Sequence, residues 1–281
     1  MNKEPGVTSF RSLSDAKHYF KGEKVGHAGT LDKFAEGLML VLVGKATKLN
    51  PLFSSLDKTY VASVRFGLET DTLDPEGETV KTGPLPTAEE IEAVLPSFLG
   101  EQNQIPPLYS ALHVDGKRAY QIARSGASVE MKSRKINIYS IKFLSFDGAI
   151  AQIELRVSKG TYIRSFARDL GERLGTAASL CALKRTSIGP YTLDDVSSFD
   201  TATEKTVEVL LKMENIRTLD LRPETLKLVR NGYLPKGFFI GSVDADGYYL
   251  GMVDGRCIVI LSRENGAFDI VAQYGDADGS V

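Results

Sequence analysis

The sequence predicts an α+β protein. A mainly antiparallel mixed sheet flanked by helices occupies residues 1–200, and a small β-rich C-terminal domain occupies 215–281. Three observations predict it. Two long runs of β-formers, Lys135–Phe146 and Ala149–Val157, meet at Asp147-Gly148, a dipeptide suited to the tight turn of a hairpin. Helical and strand patterns follow one another without the regular strand–helix–strand alternation of a doubly wound parallel sheet. From about Ser197 the texture changes to short apolar runs near 238–243, 248–253, 257–262 and 267–274, separated by Gly and Asp.

The elements follow in order. Thr8 or Ser9 is placed to cap a helix running to Phe20. Lys21–Asp32 is polar and glycine-containing and reads as loop. Leu38–Val43, between Gly37 and Gly44, reads as a buried strand. Ala46–Ser55 reads as a short helix with Pro51 weakening its interior, and Thr59–Phe66 as a strand. Residues 70–86 read as loop. Thr87 and Glu90 form a capping box for a helix whose apolar side carries Ile91, Val94, Leu95 and Phe98 and which ends near Gly100. The two prolines hold residues 105–108 extended. Tyr109–Val114 reads as a strand, Asp115-Gly116 as a turn and Lys117–Ser125 as a helix. Beyond the hairpin, Thr161 is placed to cap a helix to Leu174; Ser179–Ile188 reads as a strand and Val207–Met213 as a helix.

Composition narrows the function. The chain has 281 residues, no apolar run long enough to span a bilayer and no apolar leader at its start, so a cytoplasmic protein is expected. Cys181 and Cys257 lie far apart, which excludes a disulfide framework and leaves buried reduced thiols. His18, His27 and His113 lack metal-ligand spacing, so no metal is expected. The net charge of −2 conceals an asymmetry. Residues 1–108 carry 11 Lys/Arg against 15 Asp/Glu, residues 109–190 carry 14 against 6, and residues 191–281 carry 9 against 15. A basic middle between acidic flanks suits a phosphate-binding face, or several solvated faces.

Four segments can carry chemistry. In KVGHAGTLDKFAEG (24–37), Gly26 and Gly29 permit close approach, and Asp32 is either displayed in a cleft or a turn-former; His27 is a functional or a structural hydrogen-bonding residue. In SKGTYIRSFAR (158–168), Lys159 precedes a helix on which Arg164 and Arg168 share a face. That is an anion site or a solvated cationic face, and Tyr162 beside it stacks on a base or packs inside. In DKTYVASVRFG, Tyr60 is a strand aromatic. Residues 105–124 interleave Tyr109, Lys117, Arg118, Tyr120 and Arg124, a pattern that suits bases on rings and phosphates on cations. No P-loop, dinucleotide fingerprint or zinc motif is present, so no nucleotide, redox or metal cofactor is implied.

Together these segments resemble the bacterial-type tRNA pseudouridine-55 synthases, the TruB family. The resemblance runs from Asn2 to about Val196 through NKEPGVTSF, GHAGTLDKFAEGLMLVLVGKATKL, DKTYVASVRFG, TDTLDPEG, IPPLYSALHVDGKRAYQIARSG, SKGTYIRSFARDLGERLG and ALKRTSIGPY. Residues 197–281 resemble that family's small RNA-binding PUA-type domain more loosely. The resemblance implies a pseudouridine synthase-like core and an isomerisation of uridine in the tRNA T-stem-loop that needs no cofactor, by a monomer. It implies Asp32 as nucleophile, Arg164 as its ion-pair partner and Tyr60 as the aromatic that stacks on the target base and moves a proton. It further implies His27 against the displaced RNA loop, Lys3 as the lysine of the N-terminal motif and Leu183 as a wall of the uracil pocket. Lys159, Tyr162 and Arg124 are expected RNA contacts. Two positions depart from the family pattern: Glu4 and Lys33 stand where proline is usual. An RNA-binding or tRNA-folding protein without chemistry, and a synthase acting on another RNA, are the alternatives. The first does not require the Asp–Arg–Tyr set.

Overall fold

The structure, a computed structural model, describes residues 1–110, 113–114, 117–118, 131–199 and 206–273. The chain opens with β1 (Asn2–Lys3) and reaches α1 (Ser14–Tyr19) through a 3-10 turn at Arg11–Leu13. The Thr8 hydroxyl accepts the Arg11 backbone N–H at 3.2 Å, but the 3-10 turn starts after Phe10 and α1 after Leu13, so neither Thr8 nor Ser9 is the helix cap expected there. The stretch expected as loop, 21–32, contains β2 (Val25–Ala28). The apolar run 38–43 divides at Met39 into β3 (Glu36–Leu38) and β4 (Leu40–Val43), because β4 pairs with β2 while β3 pairs with β1. Pro51 lies in the first turn of α2 (Asn50–Ser55), where its missing N–H has no partner to lose, so it supports that helix.

β5 (Lys58–Phe66) is the central strand, and β6 (Leu68–Thr70) pairs with β7 (Thr79–Thr82), a strand within the expected 70–86 loop. α3 (Ala88–Val94) starts with the expected capping box between Thr87 and Glu90. β8 (Gly100–Gln104) follows, a strand of sequence GEQNQ without apolar alternation. β9 (His113–Val114) and β10 (Lys117–Arg118) pair antiparallel, so Lys117 and Arg118 enter a strand and not the expected helix, and residues 119–125 lie outside the described residues. β11 (Arg134–Phe146) and β12 (Ile150–Val157) form the expected hairpin, with Asp147 Oδ1 accepting the N–H groups of Ala149 and Ile150 at 2.9 and 2.7 Å.

α4 (Ile163–Arg173) begins after Tyr162, and Thr161 does not cap it. The Thr161 hydroxyl donates to the Ser158 carbonyl, while Gln104 of β8 clamps Tyr162 by accepting its N–H at 2.8 Å and donating to its carbonyl at 3.0 Å. Then come β13 (Ala178–Ile188), β14 (Tyr191–Thr192), α5 (Thr206–Leu211), β15 (Ile216–Asp220), α6 (Leu226–Arg230), β16 (Gly247–Val253), β17 (Arg256–Glu264) and β18 (Ala267–Gln273). Residues 238–243 form no strand; a single bridge joins Phe239 to Leu221. Cys181 and Cys257 are free, and both are half-buried where full burial was expected.

The main sheet has eight strands in the order β1-β3-β13-β5-β12-β11-β8, with β14 on β13. Every pairing in it is antiparallel except β13 with β3. One face of this mixed sheet, with Ala62, Val64, Ile153, Leu155 and Leu180, packs on Phe166 and Leu170 of α4 and on Ile91, Leu95 and Phe98. A second sheet, β15-β16-β17-β18, places Leu250, Ile260 and Ala272 in one apolar cluster with Leu42, Leu49 and Phe53. Among the described residues no helix is long and apolar enough to cross a membrane.

Register places Lys3, Gly37, Arg185, Tyr60 and Leu155 in one row across five strands. Gly37 has φ +111°, and a β-carbon there would overlap the Arg185 carbonyl and lie 2.7 Å from its backbone nitrogen. The row closes only because that position has no side chain. Gly37→Ala is therefore expected to destabilise the protein by at least ~2 kcal/mol, combining strain and displacement of β13, as measured by urea denaturation.

Candidate active site

Asp32 stands in the loop that joins β2 to β3. Its carbonyl accepts the Ala35 N–H at 3.2 Å, which turns the chain tightly around it. The neighbouring Leu31 is anchored on both sides by Ser9, whose hydroxyl accepts the Leu31 N–H at 2.8 Å and donates to its carbonyl at 2.9 Å. Asp32 is thereby held with its side chain 37% exposed and facing Arg164.

Arg164 sits in the first turn of α4 with its side chain 5% exposed. Its Nη2 donates to Asp32 Oδ1 at 3.2 Å, and its Nε lies 2.9 Å from Asp32 Oδ2 as an ion-pair contact without hydrogen-bond geometry. Nη2 also donates to the Tyr109 carbonyl at 3.0 Å, and Nη1 donates to the Thr72 carbonyl at 3.0 Å and to Asp74 Oδ2 at 3.1 Å. A lysine offers no such planar fork.

Asp74 was not singled out by sequence reasoning, although TDTLDPEG was noted as a motif. It is 8% exposed and accepts, besides Arg164, the Thr72 hydroxyl at 2.6 Å and the Glu76 N–H at 3.0 Å. Leu73 beside it holds φ +62°, an uncommon conformation for leucine, stabilised by its carbonyl accepting the Leu180 N–H. The two carboxylates therefore differ. Asp74 is saturated by fixed donors; Asp32 is held by Arg164 and faces solvent. Burial pushes the Asp32 carboxyl above the usual carboxylate range, Arg164 opposes the rise, and the Asp74 charge adds to it.

The other expected site residues fall as follows. Tyr60 is buried on β5 in the same apolar cluster as Leu31 and Leu183. Tyr162 is half-buried and lies close enough to Asp32 and Arg164 to feel both charges; burial raises its hydroxyl, opposed first by Arg134, whose guanidinium lies 5.4 Å from the ring centroid. Lys159 is exposed beside the start of α4. His27 is half-buried on β2, and burial and then the Arg185 charge hold its imidazole below the ordinary value. Arg124 lies outside the described residues. Lys3, the lysine of the N-terminal motif, is buried, and its ammonium donates to the carbonyls of Glu4, Lys33 and Ala35, an internal strut. The Glu4 and Lys33 departures are accommodated there through main-chain carbonyls, and the Lys33 side chain pairs with Glu76 at 2.7 Å on the surface. Among the described residues no group of three or more His, Cys, Asp or Glu side chains is placed to hold a metal ion.

The arrangement amounts to a partly exposed carboxylate paired with a buried arginine, with Tyr162 close enough to feel both charges. Solved structures share its scaffold. The whole chain superposes on a chain of an H/ACA RNP bound to a substrate RNA containing 2'-deoxyuridine, with a TM-score of 0.66 and 19% identity over 85% of that chain. It covers 86% of a chain in an archaeal box H/ACA sRNP Nop10-Cbf5 complex, with a TM-score of 0.67 and 21% identity. The fold is a pseudouridine synthase-like core with a small C-terminal β domain. Residues 17–163 match the model of the TruB family pseudouridylate synthase N-terminal domain. The chain is also 46% identical over 235 residues, 83% of each chain, to a tRNA pseudouridine synthase B of Borreliella burgdorferi, and 36% identical over 273 residues to that of Francisella tularensis subsp. novicida, covering 95% of this chain and 90% of the relative. The chain belongs to the TruB family of pseudouridylate synthases.

The unequal settings of the two carboxylates predict unequal costs. Asp74→Ala breaks a buried ion pair and is expected to lose about 3 kcal/mol of stability. Asp32→Asn removes a charge that folding disfavours and is expected to lose none, both read by chemical denaturation.

Proposed function

We propose that this chain converts the uridine at position 55 of the tRNA T-loop to pseudouridine, with Asp32 as nucleophile. The observation that carries this reading is the ion pair of partly exposed Asp32 with buried Arg164 in a TruB-family core. Relatives named tRNA pseudouridine synthase B support the substrate class.

The reaction breaks the N1–C1′ glycosidic bond, rotates the uracil and rejoins the ring through C5, from which a proton must then leave. It is redox-neutral and needs a carboxylate that is ionised when it attacks. Arg164 favours that form and holds its oxygens in one plane. The target base must leave its stack, at a cost of a few kcal/mol. Phosphate contacts along the basic 109–190 region, with exposed Lys159 beside the site, offset that cost. Stacking on Tyr60 adds roughly 1–3 kcal/mol, and Tyr60 then takes the C5 proton. Leu183 lines the base pocket, while His27 and Tyr162 meet the displaced loop. Residues 1–200 form the catalytic domain of a cytoplasmic monomer, and 215–281 a reduced PUA-like RNA-binding domain. The latter shares an apolar cluster with Leu42, Leu49 and Phe53, so it also covers part of the catalytic domain's surface.

Incubation with unmodified tRNA transcript, followed by pseudouridine mapping, tests the reading. Product at the T-loop uridine is expected; its absence where a known synthase works overturns it, and product mapped only in other RNAs redirects it. Asp32→Asn is expected to abolish turnover with RNA affinity changed less than about threefold, and Arg164→Lys to slow turnover about 100-fold. The rate should also depend on pH in a set direction. Because Asp32 must be ionised and its pKa is raised, activity is full above that value and falls as pH drops through it. The acidic limb of the single-turnover rate should therefore lie above the ordinary aspartate value of about 3.9.

A further inference from the structure

Arg164 orients the Asp32 carboxylate, but the main chain from which that carboxylate hangs is held by other donors. Arg185 reaches from β13 beneath the loop. Its Nε donates to the Leu38 carbonyl at 2.7 Å, Nη2 to the Gly29 carbonyl at 3.1 Å and Nη1 to the Thr30 carbonyl at 3.5 Å. The residue is 1% exposed, and among the described residues no carboxylate pairs with it. A buried cation without an anion is costly unless hydrogen bonds repay its lost hydration. Here every partner is a main-chain carbonyl of the segment that carries Asp32, two at its entry and one at its exit.

The surroundings are built around this guanidinium. Gly29 has φ +92°, and a β-carbon on it would lie 3.5 Å from Arg185 Nη1. Gly37 has no side chain where β3 meets the Arg185 backbone. A register shift follows between Arg185 and Ser187, a device that re-aims side chains. Lys3, in the same row across the sheet, closes the far side of the loop through the Lys33 and Ala35 carbonyls.

The geometry points to Arg185 as a positioning residue for Asp32. It fastens both ends of loop 29–38, so that Leu31 and Asp32 are presented at a fixed height against Arg164. It does not touch substrate and acts through the loop, and the inference rests on the reading of Asp32 as nucleophile. A residue that served stability alone would lower the folded fraction and leave the rate of each folded molecule unchanged. A positioning residue lowers that rate at saturating RNA.

The test compares Arg185→Lys and Arg185→Met with the unaltered chain. The readouts are single-turnover rate at saturating tRNA, tRNA Kd, thermal midpoint, and hydrogen exchange of the peptide spanning residues 28–39 in the free protein. Arg185→Lys keeps the charge but cannot span both loop ends. It is expected to slow the single-turnover step about 10- to 100-fold. Kd is expected to change by less than about threefold, and the Leu31 and Ala35 amides to exchange faster. Arg185→Met is expected to lose more; should it fail to fold, the lysine variant decides. An unchanged rate in folded protein, or a loss confined to Kd, overturns the proposal. If the unaltered chain makes no pseudouridine, the functional reading fails, and unchanged exchange in Arg185→Lys would separately overturn the brace.

Discussion

One guanidinium, that of Arg164, joins four stretches of chain: its own helix, the loop of Asp32, the turn carrying Thr72 and Asp74, and the segment leaving the two prolines at Tyr109. With one cation between two carboxylates, the charge does not balance. The structure resolves the excess by giving Asp74 fixed donors from Thr72 and Glu76 and leaving Asp32 toward water. A buried ion pair is weak evidence for stability, since desolvation consumes much of the attraction. Its value here is directional. Both Nη groups are committed to fixed acceptors, so the guanidinium is held in place and with it the Nη2 bond to Asp32 Oδ1.

Beneath this site lies a second layer of buried cations. Lys3 and Arg185 flank Gly37 in the sheet, and Lys58 on the adjoining strand donates to the Ser54 and Leu56 carbonyls. Burial and then the Arg185 charge bring the Lys58 ammonium down to about 8. All three satisfy main-chain carbonyls: Lys3 and Arg185 hold the loop around the site by charge-assisted hydrogen bonds, while Lys58 fastens the chain between α2 and β5. The small C-terminal sheet contributes from further out, covering Leu42, Leu49 and Phe53 with Leu250 and Ile260. Its packing makes it part of the support of the β2–β4 hairpin.

Much of the scaffold is legible from local patterns. Thr87 and Glu90 announce α3, Asp147-Gly148 announces the long hairpin, and the alternation in β5 and β12 announces central strands. Each signal is complete within a few residues and agrees with its surroundings. The errors come where a partner elsewhere decides. β8 is polar and becomes a strand because β11 offers its edge. The run 38–43 looks like one strand and is two, because its halves pair in different sheets. Thr161 carries the capping chemistry, but its hydroxyl donates back to the Ser158 carbonyl and the helix begins one residue later, after Tyr162.

The candidate site divides in the same way. Residue type and spacing already show which reactive side chains exist and in what motifs: the aspartate of GHAGTLD, the arginine of GTYIR, the tyrosine of DKTYVA and the resemblance their order carries. Those are properties of residue type and spacing, which need no partner. Tertiary structure alone decided that Asp74 shares the arginine, that Lys3 is an internal strut, and that Arg185 lies under the loop. These roles depend on contacts between residues 30 to 156 positions apart. Burial, which turns a lysine or arginine from a surface charge into a fastener of main chain, is a property of the packed fold and leaves no mark in the local sequence.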